Sequence, residues 1–150
     1  MSKTAASPIA FIILAAGLGT RMKSSTPKML HELCGRSMLS HAVHAAAGVS
    51  PHHIVVVTGH QRERVQQAVA DIAEELNRPV LTAVQEEQNG TGHAVMCGLS
   101  ALPEDFTGTI LVTTSDVPML DSATLHDLLD VHDQHPRPAV TVLTLSLIHI

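Results

Sequence analysis

The stretch IAFIILAAGLGTRMKSSTPKML, residues 9–30, decides the fold of this chain. Its first part, 9–17, is continuously apolar and is bounded by Pro8 and Gly17. A run of this length that lacks polar residues is typical of a strand buried on both faces of a parallel sheet. We therefore predict that the first element of the fold is a central strand.

The loop after this strand combines glycines with positive charge. Gly17 and Gly19 allow a sharp turn that brings backbone N–H groups close to a ligand. Arg21, Lys23 and Lys28 follow within a few residues, so donors gather at the carboxyl edge of the strand. Such a loop is suited to binding a triphosphate.

Two common phosphate-binding loops do not fit this pattern. A Walker A loop needs Gly-x-x-x-x-Gly-Lys followed by Ser or Thr, and the chain contains no such run. The dinucleotide fingerprint needs a third glycine at the position that Met22 occupies. The loop therefore favours neither a P-loop enzyme nor a dinucleotide-dependent one.

The rest of the chain alternates apolar runs with segments of helical period. We predict further strands at 54–59, 79–85, 108–116 and 139–148, and helices at 36–48, 61–76, 90–102 and 122–135, the third of which Gly98 interrupts. Alternation of this kind indicates an α/β fold with a mostly parallel sheet and helices on both faces. Ligands of such sheets bind beyond the carboxyl ends of the strands. The length of 150 residues suits a single domain.

The composition of the chain argues against several kinds of partner and of metal site. The formal net charge is −5, and the chain has two Phe but no Tyr or Trp, which argues against nucleic acid and anionic membranes as partners. The apolar run 9–16 is too short to span a bilayer, and we expect a cytoplasmic protein. Cys34 and Cys97 fit no metal spacing and are expected to be buried free thiols. The eleven histidines likewise show no zinc-site spacing.

Three segments together resemble the nucleoside-diphosphate-sugar pyrophosphorylase family. LAAGLGTRMKSSTPKMLHELCGRSMLSH (14–41) is similar to the family pattern Leu-Ala-Ala-Gly-x-Gly-Thr-Arg-Met followed by Pro-Lys. VQEEQNGTGHAV (84–95) resembles the segment Gln-x-x-Gln-x-Gly-Thr-Gly-His-Ala of the uridyltransferase domain in bifunctional enzymes that make UDP-N-acetylglucosamine. TSDVPML (114–120) resembles the strand that ends in Asp-x-Pro-Leu, with Ser115 where the family usually has Gly.

The resemblance implies a Rossmann-like nucleotidyltransferase fold, here incomplete. It also implies transfer of a uridylyl group from UTP to N-acetylglucosamine 1-phosphate with Mg²⁺, a reaction that serves peptidoglycan synthesis. Two alternatives stay open: an inactive nucleotide-binding fragment, and an enzyme of the same class with another base or sugar.

The resemblance further implies roles for single residues. Arg21 and Lys28 would be catalytic, with Arg21 on the triphosphate and Lys28 between the α-phosphate and the sugar phosphate. Asp116 would bind Mg²⁺, and the amide of Gln85 would match the mixed donor and acceptor edge of uracil. The implied substrate-binding residues are Leu14, Ala15, Ala16, Gly17, Gly19, Lys28, Gln85, Gly90, Thr91, Thr114, Ser115 and Asp116.

The resemblance extends from about Ile9 to about Leu145, whereas the family's domain continues beyond that point. We therefore expect residues 1–150 to be the nucleotide-binding portion of a longer enzyme. The remainder of that domain and a β-helix acetyltransferase domain would be missing, and the parent would form a homo-oligomer. Residues 146–150 leave the expected course of the family, and we interpret them as a foreign ending.

Overall fold

The computed structural model describes residues 7–17, 19–59, 62–134 and 138–144. The sheet has four strands, which are β1 (Ile9–Ala15), β4 (His53–Thr58), β5 (Leu81–Val84) and β6 (Thr109–Thr114). Their order in the sheet is β5-β4-β1-β6, and every neighbouring pair is parallel. A separate antiparallel hairpin of β2 (Glu32–Leu33) and β3 (Arg36–Ser37) follows the first loop. The predicted α/β class and parallel sheet are confirmed.

Helices cover both faces of the sheet. They are α1 (Met38–Gly48), α2 (Arg62–Glu75), α3 (Gly90–Leu99) and α4 (Ser122–Gln134). Side chains of α1, α2 and α4 share one buried cluster with Phe11 and Ile13, while α3 packs on the opposite face against Ile12. These three β1 residues are at most 1% exposed, since β1 lies in the middle of the sheet. This explains why β1 is apolar at every position.

Helix α3 lies very close to the sheet. A Cβ added at Gly98 would be 2.6 Å from Cγ2 of Ile12 and 3.1 Å from Cγ2 of Val57. Gly98 is thus required by the distance between the helix and the strands, rather than being a weak point in the helix.

The register brings three strand ends to one edge. Ala15 at the end of β1 pairs with Thr58 at the end of β4, and Leu14 pairs with Thr114 at the end of β6. From β1 the chain continues to β4 and β5 on one side and then crosses to β6 on the other. The strand order therefore reverses between β1 and β6, which is the place where open parallel sheets bind ligands.

The predicted strand at 139–148 is wrong over the part that the structure describes. Residues 138–144 form no strand, and Val140 and Val142 are 76% and 70% exposed. An apolar run becomes a strand only when it finds a partner edge, and β5 and β6 pair with nothing on their outer sides within the described residues. Residues 145–148 lie outside the described residues.

Three smaller expectations also need correction. Helix α1 begins at Met38 rather than at 36, because 36–37 pairs with β2 and the Ser37 side chain then accepts a hydrogen bond from the Ser40 N–H. Helix α3 ends at Leu99 rather than at 102, in a turn over 100–101. The two cysteines were expected to be buried, but Cys34 is exposed because it lies in the β2–β3 turn, and Cys97 is only partly buried.

No helix within the described ranges is long and apolar enough to cross a membrane.

Candidate functional site

A cleft of about 540 Å³ opens where the strand order reverses, at the carboxyl ends of β1 and β6. Both strands and the first loop line it, so residues far apart in sequence meet there. The lining residues are Leu14, Gly17, Gly19, Arg21, Met22, Lys28, Met29, Thr114, Ser115 and Asp116. Of these, only Met22 and Met29 are absent from the predicted site.

The first loop is folded back on itself at Gly19. This glycine has φ +60°, and a Cβ added to it would be 2.7 Å from Cβ of Lys28. The Gly19 carbonyl accepts a hydrogen bond from the Met22 N–H at 2.9 Å, which closes a short 3₁₀ turn over Thr20–Met22. The loop therefore needs glycine at position 19 both for its left-handed backbone and for the close approach of Lys28.

Lys28 and Asp116 form an ion pair across the cleft. Nζ of Lys28 donates to Oδ2 of Asp116 at 2.5 Å, and each side chain is 37% exposed. This hydrogen bond is the main reason that the pKa of Asp116 lies below its usual range, and a hydrogen bond from the Thr114 side chain also lowers it. Partial burial works in the opposite direction but is weaker. Asp116 therefore remains a carboxylate at neutral pH, with Arg21 as a further cation in the cleft.

Ser115 lies at the floor of the cleft. Its N–H donates to the Leu14 carbonyl at 3.0 Å, which extends the pairing of β6 with β1 by one residue beyond Thr114. Ser115 is 5% exposed. The sheet thus holds the backbone of Ser115 firmly and places Asp116 directly after it.

The segment from Gln85 to Thr91 lies beside the cleft rather than in its lining. Gln85 is only 4% exposed; its N–H donates to the Thr58 carbonyl at 2.8 Å, and its Nε2 donates to the Gly90 carbonyl at 3.1 Å. Gly90 and Thr91 begin helix α3 and are exposed. His93 Nδ1 lies 3.0 Å from the Glu87 carbonyl and 3.2 Å from Nε2 of Gln85; it donates to the carbonyl when it is protonated and accepts from Gln85 when it is not.

Ala15 and Ala16 also lie outside the lining of the cleft. The Ala15 side chain packs into the core beneath α1 and α2, and Ala16 is 7% exposed against α3. The Ala16 carbonyl accepts a hydrogen bond from Nε2 of Gln88 at 2.6 Å. Gln88 is not among the predicted site residues, although it is the second Gln of the Gln-x-x-Gln pattern at 85–88.

Asp116 alone is not a complete site for a divalent ion, which needs further ligands. No group of three or more His, Cys, Asp and Glu side chains within the described ranges could hold a metal. Mg²⁺ is commonly held in proteins by one or two carboxylates together with waters and substrate phosphates. A single cleft carboxylate next to two cations suits an ion that arrives with a phosphate ligand.

The fold and the cleft together define an α/β domain with a ligand-sized cleft at the switch point of a parallel sheet. The chain belongs to the MobA-like NTP transferase domain family, whose pattern matches residues 11–146. Curated relatives include the bifunctional protein GlmU of Rhodococcus opacus (strain B4), which is 63% identical over 138 residues. The match covers 91% of this chain and 28% of that protein. GlmU of Mycobacterium sp. (strain KMS) is 54% identical over 146 residues, covering 97% of this chain and 29% of the relative.

Solved structures share the fold. Rv0371c from Mycobacterium tuberculosis H37Rv superposes with a TM-score of 0.68 at 23% identity, over 86% of this chain and 62% of its own. A nucleotidyl transferase from Methanothermobacter thermautotroptrophicus gives a TM-score of 0.68 at 23% identity, over 82% and 57%. These likenesses confirm the nucleotidyltransferase fold, and the curated relatives confirm the resemblance drawn from residues 14–41, 84–95 and 114–120. The chain spans less than a third of the length of those relatives.

Proposed function

We propose that this chain is the nucleotide-binding part of a sugar-phosphate nucleotidyltransferase. In our proposal the enzyme transfers a uridylyl group from UTP to N-acetylglucosamine 1-phosphate. The observation that carries the proposal is the convergence of Arg21, Lys28 and Asp116 on one cleft where the strand order reverses. Most of this chain is similar to the bifunctional protein GlmU, and this similarity supports the choice of substrates.

The reaction needs positioning and charge stabilisation more than covalent help from the protein. An oxygen of the sugar phosphate attacks the α-phosphorus, the bond from that phosphorus to the bridging oxygen breaks, and pyrophosphate leaves. Arg21 stabilises the negative charge that builds on the departing pyrophosphate. Lys28 lies between the α-phosphate and the sugar phosphate and offsets the repulsion between these two anions.

The ion pair prepares Lys28 for this role. Asp116 holds the ammonium group at 2.5 Å, so Nζ is fixed at the cleft before the nucleotide arrives. Both side chains are 37% exposed, and the ammonium group has two further protons to donate. Lys28 can therefore bind a phosphate oxygen without leaving Asp116.

Asp116 is also the residue that would hold Mg²⁺. The ion would neutralise triphosphate charge and draw electrons from the α-phosphorus. The depressed pKa of Asp116 keeps its carboxylate ionised, as a ligand of a hard divalent cation must be.

Gln85 suits the selection of uracil over cytosine. Because its Nε2 donates to the Gly90 carbonyl, the amide cannot be turned round, and its oxygen Oε1 must point the other way. Within the described residues, no group donates a hydrogen bond to Oε1. An acceptor fixed in this position matches the N3–H donor of uracil and repels N3 of cytosine, which is itself an acceptor. We therefore propose that the base lies beyond Gly17, beside the start of α3.

Nucleotide titrations test the base and a pyrophosphate-release assay tests the reaction. For this chain we expect weak binding of UTP with Mg²⁺, weaker binding of CTP, and little turnover with N-acetylglucosamine 1-phosphate. A relative that contains the whole domain serves as the positive control for turnover. Failure of the folded chain to bind UTP would contradict the proposal. Binding without turnover fits a nucleotide-binding portion, whereas turnover near that of the whole domain would contradict the expectation for this chain.

Replacement of Arg21 by Ala isolates the catalytic role, in a protein long enough to turn over. The loss of one such donor typically lowers the rate by about 10²–10³. Arg36→Ala is a matched control, because Arg36 pairs with Glu75 at 3.2 Å and is not part of the cleft lining. Equal rates of pyrophosphate release by the two variants would contradict a catalytic role for Arg21.

A further inference from the structure

Gln88 joins the turn before α3 to the end of β1. Its Nε2 donates to the Ala16 carbonyl at 2.6 Å, a bond that spans 72 positions in sequence. Ala16 directly follows the last residue of β1 and precedes Gly17, the first glycine of the loop. The bond therefore fixes the backbone at the point where strand becomes loop.

The surroundings of the Ala16 carbonyl are crowded. A Cβ added at Gly59, at the end of β4, would be 2.8 Å from the Ala16 oxygen and 3.1 Å from the Ala16 Cβ. The residue as a whole is 7% exposed. A carbonyl in such a setting has little access to water, and leaving it without a donor costs free energy. The backbone would turn to recover a partner if Gln88 were lost.

Peptide planarity links this carbonyl to the cleft. The Ala16 C=O and the Gly17 N–H belong to one planar trans unit and point in opposite directions. When Gln88 holds the oxygen, the Gly17 N–H is held facing away from Gln88. Gly17 lines the cleft, so the direction of this N–H decides whether the loop can offer it to a ligand there.

We propose that Gln88 is a positioning residue that sets the direction of the Gly17 N–H for a phosphate or ribose oxygen of the nucleotide. The inference rests on the proposed nucleotide binding and deepens it. The hydrogen bond from Gln88 connects the first loop, which would bind the phosphates, to the segment that would bind the base. Gln85, our candidate for binding the base, lies three residues before Gln88. The ion pair of Arg62 with Glu86 also reaches this segment at 2.7 Å, but both side chains are largely exposed and such pairs contribute little.

The test replaces Gln88 by Met, which keeps the length of the side chain and removes the donor. Gln67→Met is the matched control, because Gln67 donates to Asp71 at 2.9 Å on the exposed side of α2, away from the cleft. Isothermal titration with UTP and Mg²⁺ is expected to show binding about 3- to 10-fold weaker for Gln88→Met, as for loss of one hydrogen bond. The control is expected to bind like the unmodified chain.

Two further measurements separate positioning from folding. The ¹H–¹⁵N resonance of the Gly17 amide can be recorded without nucleotide and is expected to shift in Gln88→Met but not in Gln67→Met, while unfolding in urea checks that both variants are folded under the titration conditions. Gln88→Glu places an acceptor against the carbonyl and is expected to bind UTP more weakly than Gln88→Met at neutral pH. This order would not follow from a loss of packing alone.

The outcomes distinguish the positioning role from the proposed function. If the unmodified chain binds UTP and Gln88→Met binds it equally well with an unchanged Gly17 amide resonance, the positioning role is refuted and the proposed function stands. If the folded, unmodified chain does not bind UTP, the proposed function fails, and the Gly17 amide resonance still decides whether Gln88 orients the loop.

Discussion

Replacing Gly19 by Ala is expected to damage the cleft more than the backbone strain alone would suggest. Gly19 has φ +60° and packs against Lys28, so a new methyl group acts in two ways. It places an L-residue in the left-handed region, and it presses on the Cβ of Lys28. The second effect bears on function because Lys28 is paired with Asp116 across the cleft.

The structure allows the two effects to be weighed separately. The left-handed backbone costs Ala about 1–2 kcal/mol. Ordinary contacts begin near 3.4 Å, whereas the added Cβ would lie 2.7 Å from Cβ of Lys28, which therefore has to move by several tenths of an ångström. Overpacking of this kind typically costs about 1–3 kcal/mol. The atom that must move lies next to the backbone, so the side chain cannot absorb the shift by rotating its far end.

Gly35→Ala is the matched control. Gly35 also has a positive φ, +81°, but nothing lies within 4 Å of a Cβ at that position. It carries the backbone strain without the contact, in the β2–β3 turn away from the cleft lining. The difference between the two variants therefore reports the pressure on Lys28.

Urea unfolding and titration with UTP and Mg²⁺ provide the measurements. Gly19→Ala is expected to be less stable than Gly35→Ala by about 1–3 kcal/mol. It is also expected to bind UTP roughly tenfold more weakly, as for impairment of one charged hydrogen bond. Equal UTP affinity in the two variants would refute the claim that the packing of Gly19 places Lys28.

Three other predictions test separate parts of the structure. Lys28→Met is expected to weaken UTP binding by about tenfold or more, whereas Lys23→Met, outside the cleft lining, is expected to change the calorimetric affinity little. Because Lys28 lowers the pKa of Asp116 below 3.8, the stabilisation from this ion pair is present above that pH and is lost as the pH falls through the depressed value. The stability difference between the unmodified chain and Lys28→Met in urea should therefore shrink on acidification, and a difference independent of pH would contradict the assignment. Gly98→Ala sets a helix-propensity gain of about 1 kcal/mol against an overpacking cost of about 1–3 kcal/mol at Ile12, so net destabilisation is expected in urea unfolding. A more stable variant would show that α3 can move away from the sheet.

Features that depend on local pattern could be predicted well from the sequence. The apolar run 9–17 is typical of a central strand, since both of its faces have to be covered, and β1 occupies residues 9–15 of it. Because the loop follows the carboxyl end of this strand, its glycines and cations lie at that edge of the sheet. For this reason the sequence places Gly17, Arg21 and Lys28 in one region, and all three line the cleft.

What depends on contact between distant residues could not be predicted from pattern. The 2.5 Å contact of Lys28 with Asp116 spans 88 positions and arises from the register of β6 on β1. The bond from Gln88 to Ala16 was missed because Gln88 is a polar residue in a turn, and its partner is a backbone oxygen that no sequence pattern marks. The resemblance implied a role for Gln85 but none for Gln88, the second Gln of the same pattern.

Apolar character also misled the prediction at 139–148. Strand-like composition does not supply a partner, and Val140 and Val142 remain largely exposed in the described part of that segment. Gly98 shows the opposite error. The sequence suggests an interrupted helix at this position, whereas the glycine is what lets the helix approach Ile12 so closely.

The outer edge of β6 has a practical consequence for work with this protein. Thr109–Thr114 pairs with β1 on one side, and within the described ranges its other side carries no partner strand. Val112, in the middle of this edge, is 45% exposed. Open edges of this kind recruit strands from other molecules. The protein should therefore aggregate less in dilute solution. Val112→Lys places a charge on this strand edge and should slow aggregation in concentrated solution.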